Sequence, residues 1–285
     1  TAGGRTFGNA MAIDSSGNAF LTGDTEGSLG STNAGLYDVF VTKFSSTGLR
    51  LWTSQAGSSA ADFSDGIALN AAGTSLVITG STRGNLAGVN AGTGTTDVHI
   101  HSFDASNGAL SWSVQFGTTA DDDAWAVAVD GAGNVYVAGE TSGNLGGSGA
   151  GLSDLFVVSY SPAGAFRWSR QLGTAGIDVA NAITVDPVAG VVVTGKTGGD
   201  LQGAGSDGFD DAFVAAFNPI NGASQWTPAV RQYGTRAIDD GVGVVTDGDL
   251  RSKVLASGKM TNVPVIDVMS RPVQSVSPEA FCFEA

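Results

Sequence analysis

Five in-phase copies of one unit, strand-length apolar runs without helical spacing, and acids that are nearly all aspartate predict an all-β fold. The architecture they imply is a five-bladed β-propeller, with four antiparallel strands per blade and about 57 residues per repeat.

The repeat rests on landmarks that recur in one order. Trp52, Trp112, Trp168 and Trp226 are each followed by a Gln-x-Gly element ending at Gly57, Gly117, Gly173 and Gly234. Asp14, Asn70, Asp130, Asp186 and Asp247 then end a short apolar run, and Gly23, Gly80, Gly139, Gly195 and Gly258 close the next. Asp38, Asp97, Asp154, Asp211 and Asp267 open a third run, and Phe283 takes the Trp place in the last unit. The units form one domain with blades at about 1–56, 57–116, 117–172, 173–233 and 234–285.

Within the third unit, strands are expected over Ala124–Asp130, Asn134–Gly139, Asp154–Tyr160 and Ala165–Gln171, each rich in β-formers and bounded by turn residues. The first two strands of a unit are joined by tight hairpins, Asp14–Asn18 and Asp130–Asn134, whose Gly supplies a positive φ. A blade cannot bury both faces alone, so neighbours stack face to face, and Trp168, Phe156 and Tyr160 read as core between blades.

Composition narrows the partners. The net charge is −14, from 27 acids and 13 bases, which repels phosphate backbones and argues against nucleic acid and anionic membranes. No apolar run is long enough to span a bilayer. Of the acids, 23 are Asp and only Glu26, Glu140, Glu279 and Glu284 are Glu, which favours turns over helices. A single cysteine, Cys282, forbids an internal disulfide and reads as a strand residue, not a nucleophile. Few lysines and abundant Asp, Gly, Ser and Thr suit a secreted or cell-surface protein; a chain opening on Thr1 reads as a processed product or an excerpt.

Two loop sets share one end of the disc: the connections between blades, carrying Asp62, Asp122, Asp178 and Asp239, and those between second and third strands. The latter carry a Thr-x-Gly-x-Leu pattern at Thr25–Leu29, Thr82–Leu86, Thr141–Leu145 and Thr197–Leu201. That end is expected to be acidic and functional. Ca²⁺ is the cofactor such carboxylates would take, with Asp121, Asp122, Asp123, Asp210, Asp211, Asp239 and Asp240 as candidate ligands. The competing reading makes the recurring Asp residues acceptors for backbone N–H groups, fastening blade to blade. His99 and His101 share a strand face as a metal pair would, yet His99 takes the place of Phe40, Phe156 and Phe213, so a packed residue is expected.

The elements Gly-Thr-x-x-x-Asp, Asp-x-x-Gly-Asn-x-Tyr-x-x-Gly-x-Thr, Asp-x-Phe-Val and Trp-x-x-Gln-x-Gly, clearest over Phe116–Gln171, resemble the SBBP beta-propeller repeat family. The resemblance implies exported or surface proteins and offers no catalytic residues to carry over. The expected function is therefore a non-catalytic binding or structural module that offers its acidic end to a protein or glycan partner, or to other copies in an assembly. One alternative is a calcium-dependent carbohydrate-binding propeller. Another is a glycan-active hydrolase or lyase, which requires a dense, non-repeating cluster of perturbed acids that the repeat pattern does not reveal.

Overall fold

The computed structural model describes residues 4–201, 210–226, 230–234 and 239–242. Among them are sixteen strands in four sheets, each a four-stranded antiparallel meander in chain order. The first sheet holds β1 (Thr6–Ile13), β2 (Ala19–Thr25), β3 (Asp38–Phe44) and β4 (Arg50–Ala56). The second holds β5 (Asp62–Leu69), β6 (Ser75–Thr82), β7 (Asp97–Asp104) and β8 (Leu110–Phe116). The third holds β9 (Asp122–Val129), β10 (Val135–Thr141), β11 (Asp154–Tyr160) and β12 (Phe166–Leu172). The fourth holds β13 (Asp178–Asp186), β14 (Gly190–Thr197), β15 (Asp211–Phe217) and β16 (Val230–Tyr233). The expected landmarks Asp247, Gly258, Asp267, Cys282 and Phe283 lie outside the described residues.

The strands expected in the third unit sit within two residues of β9 to β12. The hairpins form as their chemistry requires. Asp14 and Asp130 each accept backbone N–H bonds from the turn, and Gly17 and Gly133 take φ of 77° and 85°.

First strands of successive sheets touch one another, β1 with β5, β5 with β9 and β9 with β13, so they line the axis. The core lies between sheets, in three layers. Phe20, Val39 and Val41 of the first sheet meet Ile67, Leu76 and Ile78 of the second. Val98 and Ile100 meet Val127, Val137 and Phe156, and Tyr136, Leu155 and Trp168 meet Val193, Phe213 and Phe217. Trp168 is the inter-blade residue its repeat position predicts.

The recurring Trp also demands a glycine in the following sheet. Trp52, Trp112 and Trp168 lie flat against Gly108, Gly164 and Gly222 of the following sheet. Those glycines have φ of 75°, 78° and 68°, and a Cβ on them would come within 2.6–2.8 Å of the indole.

Backbone pairs recur between successive sheets. Asp62 N–H donates to the Tyr37 carbonyl (2.9 Å), Asp122 to Thr96 (3.0 Å) and Asp178 to Ser153 (2.9 Å).

Candidate functional site

The recurring acids turn inward. Asp62, Asp122 and Asp178 are fully buried, and each accepts from the backbone N–H of the connector just before it, at Ser58, Thr118 and Thr174. Each also accepts the hydroxyl of the Thr ending the second strand, Thr82, Thr141 or Thr197. Burial raises all three carboxyl pKa values and these bonds pull back part of the rise. A second set, Asp38, Asp97, Asp154 and Asp211, is equally buried and takes a bond from Gln55, Gln115, Gln171 or Gln232 at 2.7–3.1 Å. The same Gln side chains accept the N–H of Leu29, Leu86, Leu145 and Leu201, which is what the Thr-x-Gly-x-Leu pattern is for.

Two expectations change accordingly. The aspartates fasten loops within their own unit, while the bonds between units are the backbone pairs above and those of other side chains, such as Thr22 to Ser64 and Trp112 to the Pro162 carbonyl. The end of the disc also does not draw its acidity from the repeating acids, because they lie beneath the loops they hold. Asp122→Ala should therefore lower stability by about 2 kcal/mol, since it strands the Thr118 N–H and the Thr141 hydroxyl. Urea unfolding in calcium and in EDTA checks this, and a loss confined to calcium would make Asp122 a ligand instead.

The variable residues gather elsewhere on the same end. In every sheet the first strand carries a β-bulge, and the residue skipped by the pairing is Asn9, Asp65, Trp125 or Asn181. The recurring Gly makes this possible: a Cβ on Gly139 would collide with the Asp123 carbonyl oxygen, and Gly23, Gly80 and Gly195 sit in the same way. The bulge turns an otherwise paired residue toward the axis, at an inner-strand position whose identity the repeat does not dictate.

Three of these residues, Asn9, Asp65 and Trp125, line one cavity of about 380 Å³ with Asp24, Phe63, Ser81, Arg83, Thr96, Asp121 and Asp123. Asp24 is 5% exposed and accepts from Asn9 Nδ2 at 2.7 Å, and its carboxyl pKa is raised by burial. Asp123 is raised chiefly by burial and further by Asp121, against hydrogen bonds from Ser81 and Thr96 and the charge of Arg83. Thr96 N–H donates to Asp121 at 3.0 Å. Four carboxyls thus face one guanidinium in a cavity walled by Phe63 and Trp125.

The candidate calcium ligands divide between separate places. Asp121 and Asp123 line the cavity, while Asp122, between them on the strand, points to the opposite face. Asp211 is buried against Gln232, and Asp210 pairs with Lys196 at 3.0 Å. Asp240 accepts from Asn181 at 2.6 Å, and Asp239 N–H donates to the Asp210 carbonyl. Among the described residues no three His, Cys, Asp or Glu are grouped to hold a metal ion.

His99 and His101 are both buried in the second sheet, their Nδ1 atoms 3.2 Å apart. His99 Nε2 lies 2.7 Å from the Phe63 carbonyl, which can only accept, so His99 carries its proton there and takes one from His101 Nδ1–H. Burial pushes His99 down to about 4, and burial with its neighbour pushes His101 down to about 3.

A family model described as a beta-propeller repeat, SBBP, matches residues 1–37, 111–146 and 167–202. The second and third segments each run from the last strand of one sheet into the first two of the next. An uncharacterized WD repeat-containing protein of Acanthamoeba polyphaga mimivirus is 27% identical over 177 residues, covering 52% of this chain. The match spans only 13% of that protein's length. Three segments of this chain thus match the SBBP beta-propeller repeat.

Proposed function

We propose that this protein is a non-catalytic binding module that takes a basic segment of a protein partner into the acidic axial cavity. One observation carries the reading: the repeat-dictated acids are spent inside the fold, while the bulged, non-repeating residues of three neighbouring inner strands converge on one cavity. Its excess of carboxyls and its two aromatic walls suit a lysine or arginine side chain, through charge and cation–π attraction. Similarity to propeller and WD repeat proteins supports a scaffold role. The composition supports a place outside the cell or on its surface, and the repeat count supports five blades, with 234–285 as the last.

The test is binding of an oligolysine peptide to the full chain by calorimetry at low and moderate salt. Asp65→Asn with Asp123→Asn should weaken it at least tenfold, about 1.4 kcal/mol or more. Asp104→Asn, at the opposite end, should leave it unchanged. Equal losses from both variants would reduce the binding to bulk charge and overturn the site. Calcium is the cation that Asp121 and Asp123 would share, and repeating the titration in EDTA tests that.

A second reading has its own observation. The buried carboxyl of Asp24 and the half-buried one of Asp123 are the perturbed, non-repeating acids that glycan hydrolysis or elimination would need. Turnover of a soluble polysaccharide that disappears in Asp123→Asn would put that reading first.

A further inference from the structure

Arg83 lines the axial cavity with a side chain that the fold does not employ. Its backbone is fixed by the repeat. Arg83 N–H donates to the Ala61 carbonyl at 3.0 Å, as Glu26 donates to Arg5, Ser142 to Asp121 and Gly198 to Ile177. The residue at that place differs in every sheet, so the repeat sets where the side chain starts and not what it is. Glu26, the counterpart in the first sheet, is held by the Arg5 backbone N–H at 2.9 Å and by its guanidinium at 3.5 Å. Arg83 is exposed, and among the described residues its guanidinium enters no hydrogen bond and no ion pair. Its charge reaches Asp123 only through space.

The carboxyls beside it are bonded without it. Asp24 has Asn9, Asp121 has the Thr96 N–H, and Asp123 has the hydroxyls of Ser81 and Thr96. Neutral donors satisfy these acids in place, and the guanidinium is left over. The indole N–H of Trp125 is left over as well, buried and without an acceptor among the described residues. Unused donors in a cavity rich in carboxyls call for a ligand of both signs, with a cation for the acids and an anionic oxygen for Arg83. A volume of about 380 Å³ is near the lower limit for a ligand pocket, so the two charges must lie close together. A lysine or arginine at the end of a chain meets that demand on one residue. Its side chain goes among the aspartates and its α-carboxylate onto the planar guanidinium fork.

We propose that the cavity takes the C-terminal residue of its protein partner, a lysine or arginine whose α-carboxylate is bound by Arg83. The inference rests on the basic-segment reading above and adds which end of the partner enters.

Calorimetry of the full chain with two acetylated tetralysine peptides tests this, one ending in a free carboxylate and the other in an amide. The free acid should bind about tenfold or more tighter. Bulk attraction works the other way, because the amide carries one more net positive charge. In Arg83→Gln the preference should vanish, and in Arg83→Lys part of it should remain. Both variants should keep the parent's Tm, since the guanidinium holds nothing in the fold. An amide that binds as tightly as the acid, or more tightly, would overturn the inference. So would a preference for the acid that survives Arg83→Gln, or a fall in Tm that showed the guanidinium at work in the fold. The aspartates separate the two levels. If Asp65→Asn with Asp123→Asn weakens both peptides while the parent shows no preference between them, the basic-segment reading stands and the chain terminus is discarded. If neither peptide binds, both readings fall.

Discussion

Trp168→Ala is expected to destabilise the protein by about 3–5 kcal/mol, the range for truncating a large buried aromatic. Trp168 is 5% exposed and sits between the third and fourth sheets, with the Tyr136 ring 5.9 Å away on one side and Gly222 beneath its indole. Glycine offers no side chain that could swing in to fill the void, and its positive φ keeps that turn from collapsing inward. The indole N–H also donates to the Pro219 carbonyl at 3.1 Å, a neutral bond worth about 1 kcal/mol, less than the packing term. The loss is therefore chiefly one of packing. Urea denaturation with an unchanged m-value checks it. A change below about 0.5 kcal/mol would mean that the outer strands do not contribute to the inter-sheet core.

Acid should weaken the fold through the histidine pair. In the unfolded chain both imidazoles take up protons near their ordinary value of 6.5, whereas the folded state holds them neutral to about 4 or below. The unfolded state thus binds more protons throughout that interval, and stability falls as pH drops from 6.5 toward 4. A depression of more than two units in one histidine corresponds to about 3 kcal/mol, and the coupled pair titrates as a unit. Asp62, Asp122 and Asp178 act in the opposite sense, because their raised carboxyls relax on protonation. The comparison that isolates the histidines is His99→Phe with His101→Val, which installs the residues found at those places in the third sheet, Phe156 and Val158. That variant should keep its stability between pH 6.5 and 4 while the parent loses about 3 kcal/mol relative to it. Parallel curves for the two proteins would show that the pair is protonated without opening the core.

The sheets, their meander order and the residues that hold them were legible in the sequence because they repeat. A position that does the same physical job in every unit, such as Trp168 against the next sheet or Gln171 on its loop, returns at the same spacing and declares itself. Placing His99 among phenylalanines by register located it in the core for the same reason. That the recurring acids accept loop N–H groups was legible as one of two readings, but their partners were not, since Asp122 reads alike whether it meets a neighbouring blade, a cation or Thr141. Nor was the cavity, whose members Asp24, Asp65 and Asp123 lie on strands of three sheets and share no motif. The recurring Gly139 was visible, but its purpose depends on how closely the Asp123 carbonyl approaches it, and only the assembled sheet sets that distance. Repetition along the chain therefore determined the scaffold. The bulges and the stacking of one sheet on the next decided which residues meet at the axis, because those meetings come from contacts between units and not from spacing within one.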